Sequence, residues 1–231
     1  MNVNETHAKD DGFLLRNKVP KMEAIKFGWN VFKQNWKLFV PLLLILTVIS
    51  YLPSGFRDLV TKQIGDPTTM GIVVFVTGVA FWVLQQLINI GTTKISLEFA
   101  DGKKSQLSDL FNGTSYLLNY IGASILFGII VLIGFILLIV PGIIFAIKLQ
   151  FYPYLIIDKN MGPIEALKGS WEMTKGIKLE LALFSFLTFL INLAGALALV
   201  VGLFVSVPMT MVAYAYVYRK LNSRATSVNM I

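Results

Sequence analysis

The sequence predicts an all-α, polytopic helical membrane protein. Six transmembrane helices form three hairpins, each preceded by an interfacial amphipathic helix on the cytoplasmic side. Three observations predict this. Long apolar runs recur in a chain of 231 residues that is 55% hydrophobic and only 14% charged, whereas a soluble domain carries about a quarter charged residues. Lysine and arginine between those runs favour one side. A short basic segment bearing a tryptophan occurs twice, each time just ahead of a span.

Residues 1–19 form a polar cytoplasmic leader without an apolar core, so they do not read as a secretory signal peptide. The first span is expected to act as an uncleaved insertion signal. A single membrane domain covers 20–220, with spans at about 38–54, 71–95, 118–140, 142–157, 179–201 and 204–219, and 221–231 form a cytoplasmic tail. The first run, Leu38–Leu52, is expected to end at Pro53-Ser54-Gly55. The second, Gly71–Ile95, becomes more polar toward its end. Tyr120–Val140 carries no charge and leads into the turn dipeptide Pro141-Gly142. Ile143–Ile157 is short against the roughly 20 residues a bilayer asks for. Leu179–Tyr218 is apolar for 40 residues, about twice one crossing, and its break is expected near Gly202–Pro208, since proline disrupts a helix interior.

Charge orients these spans. Seventeen of the twenty lysines and arginines fall ahead of the first span, at the second and fourth connections and at the C-terminal end. Only Arg57 and Lys62 fall on the other side, and Lys148 lies within a span. Basic loops stay inside. Both termini are therefore expected in the cytoplasm of a prokaryotic cell, as an even number of crossings requires, with the chain in the inner membrane.

Met22–Lys33 laid over Ile164–Lys175 gives five identities in twelve positions at an offset of 142: Glu23/Glu165, Ala24/Ala166, Lys26/Lys168, Trp29/Trp171 and Lys33/Lys175. In the first copy Met22, Ile25, Trp29, Phe32 and Trp36 recur at three- and four-residue steps, which puts them on one helical face. In the second, Ile164, Leu167 and Trp171 match them. Trp29, Trp36 and Trp171, with Lys26, Lys33, Lys168 and Lys175, read as interfacial anchors: indole prefers the headgroup level, and lysine keeps its ammonium in water. Gln106–Phe111 is a weaker third unit. Tyr214, Tyr216 and Tyr218 also read as anchors.

Several classes of chemistry lack their residues. There is no cysteine, and the one histidine is His7 in the leader, which excludes disulfides, thiolate sites and a histidine cage or Ser-His pair within the membrane. Glycine-rich phosphate loops are absent. Asp58 and Asp66 are too few for a metal site. No cofactor, no metal and no catalytic residue is expected, and the net charge of +7 reads as attraction to anionic lipid at one face, without nucleic acid.

Lys148 is the sharpest candidate for function, because a charge within a span is costly and commonly functional. With Gln85, Gln86, Asn89, Gln150 and Asn192 it makes a candidate site for an anionic lipid or solute. The bland alternative is a lysine that snorkels, or bonds carbonyls freed by Pro153, and amides that bond between helices. Ala194, Ala198 and Gly202, spaced by four, read as a packing stripe, as do Pro141 and Gly142 at the turn.

The run PGIIFAIKLQFYPYLIIDKNMGPIEALKGSWEMTKG, residues 141–176, resembles a large group of uncharacterised prokaryotic multi-pass membrane proteins. The group includes the membrane domain sometimes fused to glycerophosphodiester phosphodiesterases. Pro141-Gly142, Lys148, Asp158, Glu165-Ala166, Ser170-Trp171, Thr174 and Gly176 carry the resemblance. It implies an architecture and no activity, since the catalytic domain is absent from this sequence.

The expected function is a non-enzymatic inner-membrane protein with a basic-aromatic cytoplasmic collar. It organises lipid, or docks a membrane or cytoplasmic protein partner as a membrane subunit. The alternative is a small permease or exporter component for an anionic or amphipathic solute. The third reading is an immunity or stress-protection protein.

Overall fold

The computed structural model describes residues 18–198 and 201–228, and every regular element among them is helical. Most of the predicted leader and the end of the predicted tail lie outside the described residues. The α-helices are α1 (Lys21–Gln63), α2 (Pro67–Ala100), α3 (Leu117–Leu137), α4 (Ile139–Leu149), α5 (Tyr152–Lys159), α6 (Pro163–Met173), α7 (Lys178–Leu197) and α8 (Leu203–Val228). Two 3-10 turns, Leu107–Phe111 and Thr114–Tyr116, join α2 to α3.

Among the described residues, five stretches are long and apolar enough to cross a membrane: Lys21–Gln63, Pro67–Ala100, Leu107–Leu137, Ile139–Lys159 and Lys178–Leu197. α8 is not one of them, although it has 26 residues. Its position explains its composition. Val212, Ala213, Ala215, Val217 and Tyr218 are fully buried, and the helix packs on α1, α2, α6 and α7. A helix enclosed by other helices faces protein more than lipid, so hydroxyls and tyrosines can find partners there.

Several boundaries differ from the sequence expectation. α1 runs on through Pro41 and Pro53 to Gln63 and does not stop at Pro53-Ser54-Gly55. Proline removes one donor without forcing a turn, and the Ser54 hydroxyl donates to the Tyr51 carbonyl at 2.8 Å. α2 opens on Asp66, which accepts from the Thr69 amide at 2.7 Å; side-chain and main-chain bonds from Thr69 hold the Asp66 carboxyl below its usual range. The α3–α4 turn falls at the extended residue Leu138, not at Pro141-Gly142. Pro141 occupies the first turn of α4, where its missing N–H costs nothing. Gly142 lies close against Gly134: a Cβ on Gly134 would lie 2.8 Å from the Gly142 Cα. Pro208 lies inside α8, which begins at Leu203, and not at the break after α7. The third interfacial unit is a five-residue 3-10 turn, too short for an amphipathic face, closed by reciprocal capping between Gln106 and Asp109.

The two tryptophan segments are placed differently. The first is continuous with its span in α1, where only Asn35 leaves helical geometry, at φ −125°, ψ 25°. The second is the separate helix α6, joined to α7 through Ile177 at φ −119°, ψ 18°. The offset of 142 that aligns the tryptophans also pairs Asn35 with Ile177. Both helices bury the same register: Ala24, Gly28 and Phe32 in one, Ala166, Ser170 and Thr174 in the other. The register they hide from solvent carries mostly small residues, with Phe32 the large one. Met22, Trp29, Trp36 and Ile164 are exposed and Phe32 is buried, so within the apolar face read from the sequence Phe32 turns inward and the two indoles turn outward.

Candidate functional site

The fourth apolar run is interrupted where α4 gives way to α5. Pro153 supplies the reason. It has no N–H for the Leu149 carbonyl, and its ring would crowd that carbonyl in an unbroken helix. A break at such a depth exposes backbone groups that lipid cannot satisfy. α6 supplies the missing partners. The Ser170 hydroxyl donates to the Lys148 carbonyl at 2.8 Å and accepts from the Phe151 amide at 3.1 Å. The Thr174 hydroxyl donates to the same carbonyl at 3.0 Å. Ser170 and Thr174 are both fully buried, one turn apart, with Thr174 capping the end of α6. The Ser170-Trp171-x-x-Thr174 pattern is thus a cap for a broken helix elsewhere in the chain.

Trp171 lies between these two hydroxyls in sequence. Its ring centre is 3.1 Å from the Lys148 ammonium and 5.9 Å from the Phe145 ring centre. Face-on approach of an ammonium to indole is a cation–π contact. The indole is therefore half-buried against protein and holds Lys148, where the sequence reading has it anchoring to lipid.

Beside this contact lies a cavity of about 490 Å³. Lys18, Lys148 and Lys178 line it together with Thr174, Gly176 and Glu180. Glu180 is already paired with Lys21, at 2.7 Å. Among the described residues no carboxylate forms an ion pair with Lys18, Lys148 or Lys178.

The amides expected to join Lys148 lie elsewhere, in two groups. Gln85 and Asn89 line a groove of about 330 Å³ with Ser50, Thr92, Thr93 and Ser96, and the Gln85 amide donates to Asn89 at 3.4 Å. Gln86 is buried beside them and does not line the groove. Gln150, at the end of α4, faces α7, and Asn192 belongs to the α7–α8 interface. Gln150 accepts from the Ser185 hydroxyl at 3.4 Å, and Asn192 donates to Thr210 at 3.3 Å. The six residues therefore do not converge on one site.

Of the packing residues, Gly202 does meet a facing helix: a Cβ on Gly195 would lie 3.0 Å from the Gly202 carbonyl carbon. Ala194 and Ala198 are exposed, so the close approach runs through Gly195, one position from the expected stripe. Lys26, Lys33, Lys168 and Lys175 are exposed at the basic end. Lys33 sits 5.5 Å from the Trp29 ring centre and Lys37 6.0 Å from that of Trp36.

A second polar centre escaped the sequence reading. Arg219 donates to Asp101 at the end of α2 at 2.8 Å and forms ion-pair contacts with Asp101 at 2.7 Å and with Asp158 on α5 at 2.6 Å. Tyr218 donates to the other Asp158 oxygen at 2.7 Å, and its ring stacks on Tyr154 at 5.2 Å. Tyr218 is buried and ties helices together, where the sequence suggests an interfacial anchor. The partners lie 118 and 61 residues from Arg219, beyond any local pattern. Every member already has a partner, so this centre reads as a clasp between helices.

Residues 110–229, just over half of the chain, match the family model described as Domain of unknown function (DUF7847). An uncharacterized protein of Mycobacterium bovis is 27% identical over 243 residues, covering 94% of this chain and 71% of that protein. An uncharacterized protein of Mycobacterium tuberculosis matches to the same extent. A UPF0259 membrane protein of Pectobacterium carotovorum is 26% identical over 129 residues, which is 55% of this chain and 52% of that protein. No solved structure matches. Helices of membrane-crossing length and relatives of this kind make the chain an integral membrane protein of an uncharacterised family.

Proposed function

We propose, taking as premise that the chain belongs to the DUF7847 family, that it is a non-enzymatic protein of the prokaryotic inner membrane which engages anionic lipid at its cytoplasmic face. Through that face it organises the membrane or docks a partner as a membrane subunit. The observation that carries this reading is the collar at the basic end. Trp29 and Trp36 are exposed, each beside a lysine, and Lys26, Lys168 and Lys175 extend the same charge. Exposed indole and lysine together suit the headgroup layer of an anionic leaflet.

In this reading α8 makes a sixth crossing within the bundle, and both ends of the chain are cytoplasmic. The matching backbone angles at Asn35 and Ile177 support a repeated unit of interfacial helix, bend and span. The resemblance to the membrane domain of phosphodiesterases contributes nothing to the function.

Quenching by brominated lipid tests the proposal. In the reconstituted full-length protein, brominated phosphatidylglycerol quenches tryptophan fluorescence more than its mole fraction predicts, and salt weakens the excess. Equal quenching by brominated phosphatidylcholine would remove the proposal.

A permease is the second reading, favoured by the polar groove at Gln85 and Asn89. The chain has no native cysteine, so Gln85→Cys and Asn89→Cys report on water directly. Reaction of both with a water-soluble thiol reagent in proteoliposomes supports an aqueous path, and resistance of both ends this reading.

A further inference from the structure

We infer that the cavity between Lys18, Lys148 and Lys178 is a discrete binding site for one phosphate anion, of the kind a phosphodiester headgroup carries. The inference rests on the collar reading and deepens it, from a diffuse basic surface to a single site. Three lysines line one cavity that is half open to its surroundings. The carboxylate in the same wall, Glu180, is neutralised by Lys21 at 2.7 Å. Lys148 cannot swing freely to solvent, because its ammonium is held over Trp171. Three like charges gathered without a carboxylate ion pair among the described residues repel one another, and a bound anion relieves that repulsion.

The cavity wall adds main-chain donors. Lys178, Leu179 and Glu180 form the first turn of α7, and Ile177 ahead of them offers no side-chain cap. Amides at such an end, together with the helix dipole, favour an anion. Thr174 is not available as a donor, since its hydroxyl already faces the Ser170 carbonyl at 2.8 Å and the Lys148 carbonyl at 3.0 Å. Leu179 extends from the same wall and is 74% exposed, which leaves an apolar surface beside the charged one. A headgroup in the cavity with its acyl chains along Leu179 uses both.

The site is tested in full-length protein with Trp29→Phe, Trp36→Phe and Trp82→Phe, so that Trp171 is the only fluorophore. Brominated phosphatidylglycerol is expected to quench Trp171 saturably, and brominated phosphatidylcholine is not. Lys18→Met with Lys178→Met, both at exposed positions, is expected to weaken the saturable phase about tenfold or more. Lys26→Met with Lys33→Met, on the collar and outside the cavity, leaves it unchanged. Inorganic phosphate separates the sources of the anion: reversal of quenching identifies a soluble phosphate, and no reversal a lipid headgroup. Non-saturable quenching of Trp171, or quenching unmoved by the Lys18/Lys178 pair, overturns the site. A protein retaining only Trp36 keeps the two readings apart: preference for the anionic lipid at Trp36 with none at Trp171 leaves the collar standing and removes the site, and no preference at Trp36 removes the collar.

Discussion

The Ser170 hydroxyl lies 2.8 Å from the Lys148 carbonyl, across 22 residues of chain, and closes the gap left where α4 breaks before α5. The same oxygen takes the Phe151 amide. One buried hydroxyl therefore satisfies a donor and an acceptor that lipid could not. Ser170→Ala is expected to destabilise the protein by about 1–3 kcal/mol, the cost of leaving buried polar groups unpaired. Thr174→Ala costs less, because Ser170 still serves the Lys148 carbonyl. Unfolding in mixed detergent micelles measures both, and equal stability of Ser170→Ala and the parent would show that the break needs no cap.

Lys148 and Trp171 form a coupled pair. A double-mutant cycle with Lys148→Met and Trp171→Phe isolates their contact, and a coupling of about 0.5–2 kcal/mol is expected for an ammonium over indole. A coupling near zero would mean that the ammonium spends its time elsewhere.

Arg219 bridges Asp101 and Asp158, so its planar fork matters as well as its charge. Arg219→Lys keeps the charge and cannot span both carboxylates in the same geometry. It is expected to lose about 1–3 kcal/mol in the unfolding assay, and Tyr218→Phe, which removes one bond to Asp158, a smaller part. If Arg219→Lys matches the parent, the clasp is held by charge alone.

Much of this fold was legible because lipid imposes a simple pattern on the chain. Apolar runs located the helices that face it, and basic residues marked one end. α8 obeyed the pattern least, since protein surrounds it and its composition answers to neighbours such as Gly28 and Asp158. Ser170 and Thr174 were visible as a spaced pair, but their purpose depends on a helix break that only tertiary packing brings near. Asp158, ten residues past Lys148, was rightly too far to pair with it. Its partner, Arg219, lies on another helix. Trp171 was legible as an interfacial residue by type, yet Lys148 occupies its ring.

Topology follows from the asymmetry of lysine and arginine and can be read with single cysteines. Lys62→Cys, in the last turn of α1, is expected to react with a membrane-impermeant maleimide added to intact cells. Lys168→Cys on α6 is expected to react only after the cells are opened. The reverse pattern would invert the protein and place the lysine cavity on the outer face.

Gly28 sets how closely α1 meets α8. A Cβ there would collide with the Met209 carbonyl oxygen, a backbone atom that cannot swing aside. The equivalent position in α6 is Ser170, whose side chain fills a gap between helices instead of closing one. Gly28→Ala is therefore expected to push α1 away from α8 and cost about 1–3 kcal/mol or more, as overpacking does. Gly55→Ala in the same helix meets nothing within 4 Å and is expected to be neutral or slightly stabilising, since alanine orders a helix better than glycine. Unfolding of the two variants side by side separates a lost helix contact from a general intolerance of alanine. A Gly28→Ala protein as stable as Gly55→Ala would mean that the α1–α8 crossing has room to spare.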